Sequence, residues 1–83
     1  MRIVYLASAR ADIAWMRDYY RGVFPEGRKR ARERLKAAER LLSAQPRVGH
    51  PTGVPDVFEH VIARTPFSLI YRLASDRVEI LRV

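Results

Sequence analysis

Basic side chains spaced four residues apart are the first feature of this sequence that could do chemistry. On a helix they would form one basic ridge that consists of Arg28, Arg32, Lys36 and Arg40. Lys29 would lie beside this ridge. Such a ridge could contact phosphates or an acidic peptide. The alternative is a solvated helix face on which the nearby acids, Glu33 and Glu39, pair with the basic residues.

Three arginines in the last third of the chain are the second candidate for recognition of an anion: Arg64, Arg72 and Arg82. They fall on three successive predicted strands, so a folded sheet could bring them together on one face. That patch could hold a phosphate or a carboxylate through charge-assisted hydrogen bonds. The alternative is that they protect an exposed part of the sheet and keep the chain soluble.

Residues for acid–base, nucleophilic or metal chemistry are sparse. The only two histidines are His50 and His60, and cysteine is absent, so we expect no metal site. Glu59 cannot orient His60, because adjacent strand residues point to opposite faces. The sequence contains neither a G-x-S-x-G nucleophile motif nor a glycine-rich phosphate loop. We therefore name no catalytic residue and expect no cofactor.

Aromatic residues cluster on and just after the first predicted helix: Trp15, Tyr19, Tyr20 and Phe24. Packing against a sheet explains most of such a cluster. A small sheet cannot cover all of it, however, and surplus apolar surface on a chain of 83 residues indicates a partner site.

Length and charge limit the class of protein. The 83 residues make one small domain, 1–83, with a net charge of +7 that favours an acidic partner. The N-terminal apolar stretch is too short for a signal peptide, and no apolar run reaches membrane-spanning length. We expect a cytoplasmic protein without a membrane partner.

The elements that must position these side chains follow from periodicity and turn residues. A strand is predicted at Arg2–Leu6, and Ile13, Met16 and Tyr20 share one face of a first helix. Gly22 and Pro25 end that helix, and the short connection predicts a helical hairpin. The remaining predicted elements are a second helix at 25–45, a Pro/Gly-rich loop at 46–56, and strands at 57–64, 67–74 and 77–83. The order β-α-α-β-β-β predicts an α+β fold, a helical hairpin packed on a small antiparallel sheet.

Several stretches together resemble the RelE/ParE superfamily of type II toxin–antitoxin toxins, on the ParE side. The first helix contains "DIAWMRDYY", and the second ends in "LLSAQPRVGHP", which is similar to an L-x-x-x-P-x-x-G pattern. The last third resembles the family's closing block at Glu59, Tyr71, Arg72, Val78, Ile80, Leu81 and Arg82. The resemblance covers nearly the whole chain and implies the same α+β fold.

The resemblance implies a toxin that inhibits DNA gyrase, and so replication, by binding and without catalysis. It also implies a cognate antitoxin that neutralises the toxin in a hetero-oligomer through an extended acidic and apolar segment. No direct DNA contact is expected. The residues we predict to contact the antitoxin are Trp15, Tyr19, Arg64, Arg72 and Arg82.

Two alternatives stay open. The first is a RelE-like ribonuclease that cleaves mRNA. Members of that kind carry an arginine in the strand where this chain has Val61 and Ile62, and they use residues beyond "LRV", where this chain stops at Val83. The second is a non-toxic relic that only binds its antitoxin.

Overall fold

The computed structural model describes all 83 residues, Met1–Val83. It contains two α-helices, a single 3-10 turn at Pro25–Gly27 and five strands. In chain order the helices and strands are β1 Arg2–Tyr5, α1 Ala7–Gly22, α2 Arg28–Ala44, β2 His50–Pro51, β3 Val57–Val61, β4 Ser68–Leu73 and β5 Arg77–Arg82. The predicted fold class, two helices packed on a sheet in an α+β arrangement, is confirmed.

The sheet is mixed, whereas the sequence predicted a purely antiparallel one. Its strand order is β1-β5-β4-β3-β2. The strands from β2 to β5 pair antiparallel, as short connections require. β1 pairs parallel to β5, with Ile3 opposite Val78 and Tyr5 opposite Ile80. This pairing joins the two ends of the chain, and no short turn could have indicated it.

In two places the strands also differ from the prediction by more than one residue at an end. The predicted loop at 46–56 contains β2, in which Pro51 is tolerated because the strand lies at the edge of the sheet. β3 ends at Val61, not at Arg64, because Arg64 adopts a left-handed backbone conformation with φ 59°. The Thr65 hydroxyl stabilises this turn by donating to the Ile62 carbonyl and accepting from the Phe67 N–H.

The core lies between the helical hairpin and one face of the sheet. Met16 and Tyr20 of α1 are buried there, together with a narrow stripe on α2 formed by Ala31, Ala38 and Leu42. Met16 and Tyr20 confirm the predicted core face of α1, whereas Ile13 of the same face is only half-buried. From the sheet they meet fully buried side chains on the two central strands: Leu69, Tyr71, Val78 and Ile80.

A buried tyrosine joins the long loop to the sheet. The Tyr71 hydroxyl donates to the Pro46 carbonyl at 2.8 Å and accepts from the Gly49 N–H at 3.0 Å. A Cβ at Gly49 would lie 2.6 Å from that hydroxyl oxygen, so only glycine fits. The Phe58 ring stacks on Tyr71 with ring centroids 5.6 Å apart. The L-x-x-x-P-x-x-G stretch and the tyrosine of the closing block therefore bind each other.

Candidate partner-binding surfaces

A groove runs between α1 and α2 on the outer surface of the hairpin. It consists of two adjoining depressions of about 420 and 430 Å³. Both are lined by Ile13 of α1 and Leu35 of α2, and Met16 extends the apolar floor. Ile13 and Leu35 are half-buried and pack against the core, so the groove exposes apolar surface that the sheet does not cover.

Cations from both helices line this groove, and none of them forms an ion pair. They are Arg10 and Arg17 from α1 and Arg28, Arg32 and Lys36 from α2. Every ion pair in the molecule lies elsewhere. The ion pairs that the alternative reading predicted for Glu33 and Glu39 are therefore absent, although the ridge does form an exposed helix face. Glu39 instead accepts a 2.6 Å hydrogen bond from the Tyr5 hydroxyl.

The sequence reasoning missed the two cations that α1 contributes. Arg10 and Arg17 are seven residues apart, almost two helical turns, which places them on one side of α1. That spacing was the available signal. Arg40 continues the predicted ridge along α2 as an exposed residue, but it does not line the groove.

The aromatic cluster forms a separate surface, because neither Trp15 nor Tyr19 lines the groove. Trp15 stacks on Tyr19 and meets the edge of Phe67, with ring centroids 5.9 and 5.7 Å apart. Tyr19 is half-buried by these contacts, whereas Trp15 remains 62% exposed. Of the two aromatics predicted to contact a partner, Trp15 is thus the one with most of its surface free.

Arg82 holds the end of the chain against α1. Its guanidinium donates to both carboxylate oxygens of Asp12, at 2.7 and 3.0 Å, and the Val83 N–H donates to the same carboxylate at 3.0 Å. These hydrogen bonds, that from Arg82 first, lower the pKa of Asp12. The Ser8 hydroxyl adds a hydrogen bond to the Leu81 carbonyl. Residues from the first and the last stretch of the resemblance therefore bind each other.

Arg72 is paired within the sheet. Its guanidinium donates to Glu79 Oε1 at 2.7 and 2.9 Å, and Arg77 donates to the other oxygen, Oε2. The two arginine side chains cover Glu79, which is buried. The hydrogen bonds from Arg72, and after them the one from Arg77, lower the pKa of Glu79.

The three predicted patch arginines do not form one patch. Arg72 is bound to Glu79, and Arg82 is bound to Asp12. Arg64 lies in the turn between β3 and β4, outside any strand, and makes no ion pair. The prediction that placed all three on successive strands is wrong for Arg64, because the left-handed residue ends β3 early.

Neither histidine forms a hydrogen bond or an ion pair with an acid–base partner. His50 is exposed on β2 and pairs through its backbone with Glu59, while His60 is half-buried on β3. Neither imidazole makes a hydrogen bond to another residue, and no three His, Cys, Asp or Glu side chains come together in a metal-binding arrangement. Neither helix has the length and apolar character of a membrane-spanning segment.

Comparison with a family model and comparison with solved structures both give matches that cover nearly the whole chain. The family model of the ParE toxin of the type II toxin–antitoxin system parDE matches residues 3–83. Among solved structures, the chromosomal ParDE toxin–antitoxin system from P. aeruginosa contains a chain that is 28% identical, with a TM-score of 0.77. The match covers 99% of this chain and 91% of that one. No curated protein sequence matches.

Proposed function

This chain belongs to the ParE toxin family of type II toxin–antitoxin systems, and from that premise we propose that it inhibits DNA gyrase by binding and is neutralised by a cognate antitoxin. The family supports gyrase as the target, which would place the action of the toxin in the cytoplasm. The antitoxin side of the proposal is supported by observations on the molecule itself.

The observation that carries the antitoxin proposal is the groove between α1 and α2. Its floor is apolar and five unpaired cations surround it, so it suits a segment with apolar residues on one side and carboxylates on the other. Burial of the apolar side would supply affinity. The carboxylates would neutralise cations that form no ion pair within the toxin, although Glu39 also lines one end of the groove.

The edge of the sheet offers a second contact for the same antitoxin segment. β1 is bonded to β5 on one side only, and its four residues, Arg2–Tyr5, include no proline. The opposite edge is the two-residue β2, which contains Pro51 and cannot donate at that position. We therefore propose that an extended part of the antitoxin adds a strand beside β1 and forms a hetero-oligomer with the toxin.

The residues predicted to contact the antitoxin keep that role as proposals: Trp15, Tyr19, Arg64, Arg72 and Arg82. Trp15 has the exposed ring that a buried contact requires, with Tyr19 stacked behind it. Arg72 and Arg82 would contact the partner while they remain bound to Glu79 and Asp12.

Inhibition of purified DNA gyrase tests the proposed target. The chain, released from its antitoxin, should inhibit ATP-dependent supercoiling of relaxed plasmid. Equimolar antitoxin should restore the activity, and in cells DNA synthesis should stop before protein synthesis does. A groove variant that no longer binds antitoxin but still inhibits gyrase would show that the two partners use different surfaces.

Cleavage of mRNA is the outcome that would overturn the gyrase proposal. Codon-specific cuts, on or off the ribosome, that disappear in an Arg64→Ala or a His60→Ala variant would make the chain a ribonuclease. Normal supercoiling and intact mRNA, together with tight antitoxin binding, would instead indicate a chain that retains only the antitoxin interaction.

A further inference from the structure

A second cationic cavity lies on the opposite flank of α2 from the groove. It has a volume of about 400 Å³ and lies between the start of α2 and the β3–β4 turn. Three guanidinium groups line it, from Arg30, Arg34 and Arg64, with the Tyr20 and Phe24 rings beside them. At about 100° per residue, Arg30 and Arg34 lie across the buried Ala31 stripe from the basic ridge.

The charge of this cavity is not balanced within the protein. None of the three arginines forms an ion pair, and neither does Glu26, the one acid in the lining. α2 also begins here without a side-chain cap, at Gly27, so the positive end of its dipole adds to the charge. Three planar guanidinium groups around one concave site suit a phosphate, whose oxygens accept hydrogen bonds in pairs.

The backbone around the cavity is shaped to hold these groups in place. Arg64 is a non-glycine residue in the left-handed region, a conformation that costs energy and is fixed here by the Thr65 hydrogen bonds. On the other wall, a Cβ at Gly27 would lie 2.4 Å from the Phe24 ring, so glycine is needed for that ring to lie against the backbone. The Phe24 side chain remains about half exposed.

We propose that this cavity binds a nucleoside phosphate, with the phosphate held by Arg30, Arg34 and Arg64 and the base stacked on Phe24. The volume lies in the range of small-molecule sites, about 300–1,000 Å³. A bare phosphate would use the arginines and leave the aromatic wall unused, whereas a nucleotide uses both. The phosphate could belong to a free nucleotide or to the 5′ end of a nucleic acid strand.

Isothermal titration of the purified chain with ADP, adenosine and inorganic phosphate tests the proposal. ADP should bind at least tenfold more tightly than adenosine and than phosphate. Arg64→Asn should weaken ADP binding at least tenfold, and asparagine tolerates the left-handed backbone. Arg34→Gln should have the same effect if the turn variant does not fold. The matched control is Arg32→Gln, which removes the same charge from the groove and should change ADP affinity less than twofold.

Two further arms separate the sources of the phosphate and test the aromatic wall. A trinucleotide with a 5′-phosphate that binds as tightly as ADP would assign the site to a strand end, and weaker binding would assign it to free nucleotides. Phe24→Leu should remove the preference for ADP over inorganic phosphate. No detectable ADP binding, or equal losses in Arg32→Gln and Arg64→Asn, would overturn the proposal, since equal losses mean that only net charge attracts the ligand.

Discussion

The cations of the sheet and those of the helical hairpin differ in whether the protein supplies their counter-charge. On the sheet, Arg72 and Arg77 share Glu79, Arg82 is bound to Asp12, and only Arg2 of β1 has no ion pair. On the hairpin, Arg21 alone is paired, with Asp18. The unpaired hairpin cations are Arg10, Arg17, Arg28, Lys29, Arg30, Arg32, Arg34, Lys36 and Arg40.

This difference separates charges that hold the fold from charges that are available to a partner. Like charges four residues apart on a helix destabilise it by a few tenths of a kcal/mol per pair, so the α2 ridge lowers the stability of the free chain. A partner that brings carboxylates removes this repulsion and gains affinity from it. The sheet pairs offer no comparable gain, because their carboxylates are already present.

Charge reversal in the groove should have the largest effect. Arg32→Glu with Lys36→Glu should weaken antitoxin binding about 100-fold, because acidic residues would then face acidic residues. The loss of affinity between low and high salt should also become smaller. The matched control, Arg21→Glu with Arg47→Glu, makes the same change in net charge at exposed positions outside both the groove and β1. Equal losses in both double variants would contradict a role for the groove.

Removal of the buried hydroxyl should be the largest single change to stability. Tyr71→Phe leaves the Pro46 carbonyl and the Gly49 N–H without their partner, at a cost of about 1–3 kcal/mol. Denaturant unfolding of the chain would measure the loss. Tyr19→Phe is the control, because the Tyr19 hydroxyl makes no hydrogen bond within the protein, and it should change stability by less than about 0.5 kcal/mol. A Tyr71→Phe variant as stable as the parent would show that the loop does not depend on this contact.

Loss of the carboxylate that holds the C-terminal strand should cost less. Asp12→Asn weakens three hydrogen bonds from Arg82 and Val83, of which those from Arg82 are partly exposed to solvent, so we expect roughly 1 kcal/mol. Amide exchange should speed up most in β5 and in the first turns of α1. A uniform change across the sheet would contradict a local role for Asp12.

Helices, strands and core faces could be predicted because they depend on local patterns. The spacing of Ile13, Met16 and Tyr20 predicted the inward face of α1, on which Met16 and Tyr20 are buried and Ile13 is half-buried. The parallel pairing of β1 with β5 could not be predicted, since no local pattern says which distant strand is the neighbour. Nor does the identity of Arg64 indicate a left-handed residue, because arginine is not enriched there as asparagine and glycine are.

The sequence predicted where positive charge lies on the candidate surfaces, but not which arginines form ion pairs within the protein. The ridge at Arg28, Arg32 and Lys36 followed from spacing alone. Which arginines are free depends on where the acids lie after folding, and Asp12 reaches Arg82 across 70 residues of sequence. The stretches that carry the family resemblance turn out to contact one another, Asp12 with Arg82 and Gly49 with Tyr71. They therefore identify the fold better than they identify the site.

Acid should reveal the sheet pairs as a modest, pH-dependent part of stability. The pKa values of Asp12 and Glu79 are lowered in the folded chain by their arginine partners. A lowered folded-state pKa contributes stability that is complete above the unfolded value, about 4, and is lost as the pH falls through the folded-state pKa. The melting temperature should therefore be flat from pH 7 to about 5 and then decline.

Asp12→Asn with Glu79→Gln should lower the plateau and flatten the decline. Glu33→Gln, which removes an exposed carboxylate without an ion pair, should leave both unchanged. An undiminished acid decline in the double variant would mean that other carboxylates account for it, and that the sheet pairs do not hold the fold as the contrast with the hairpin requires.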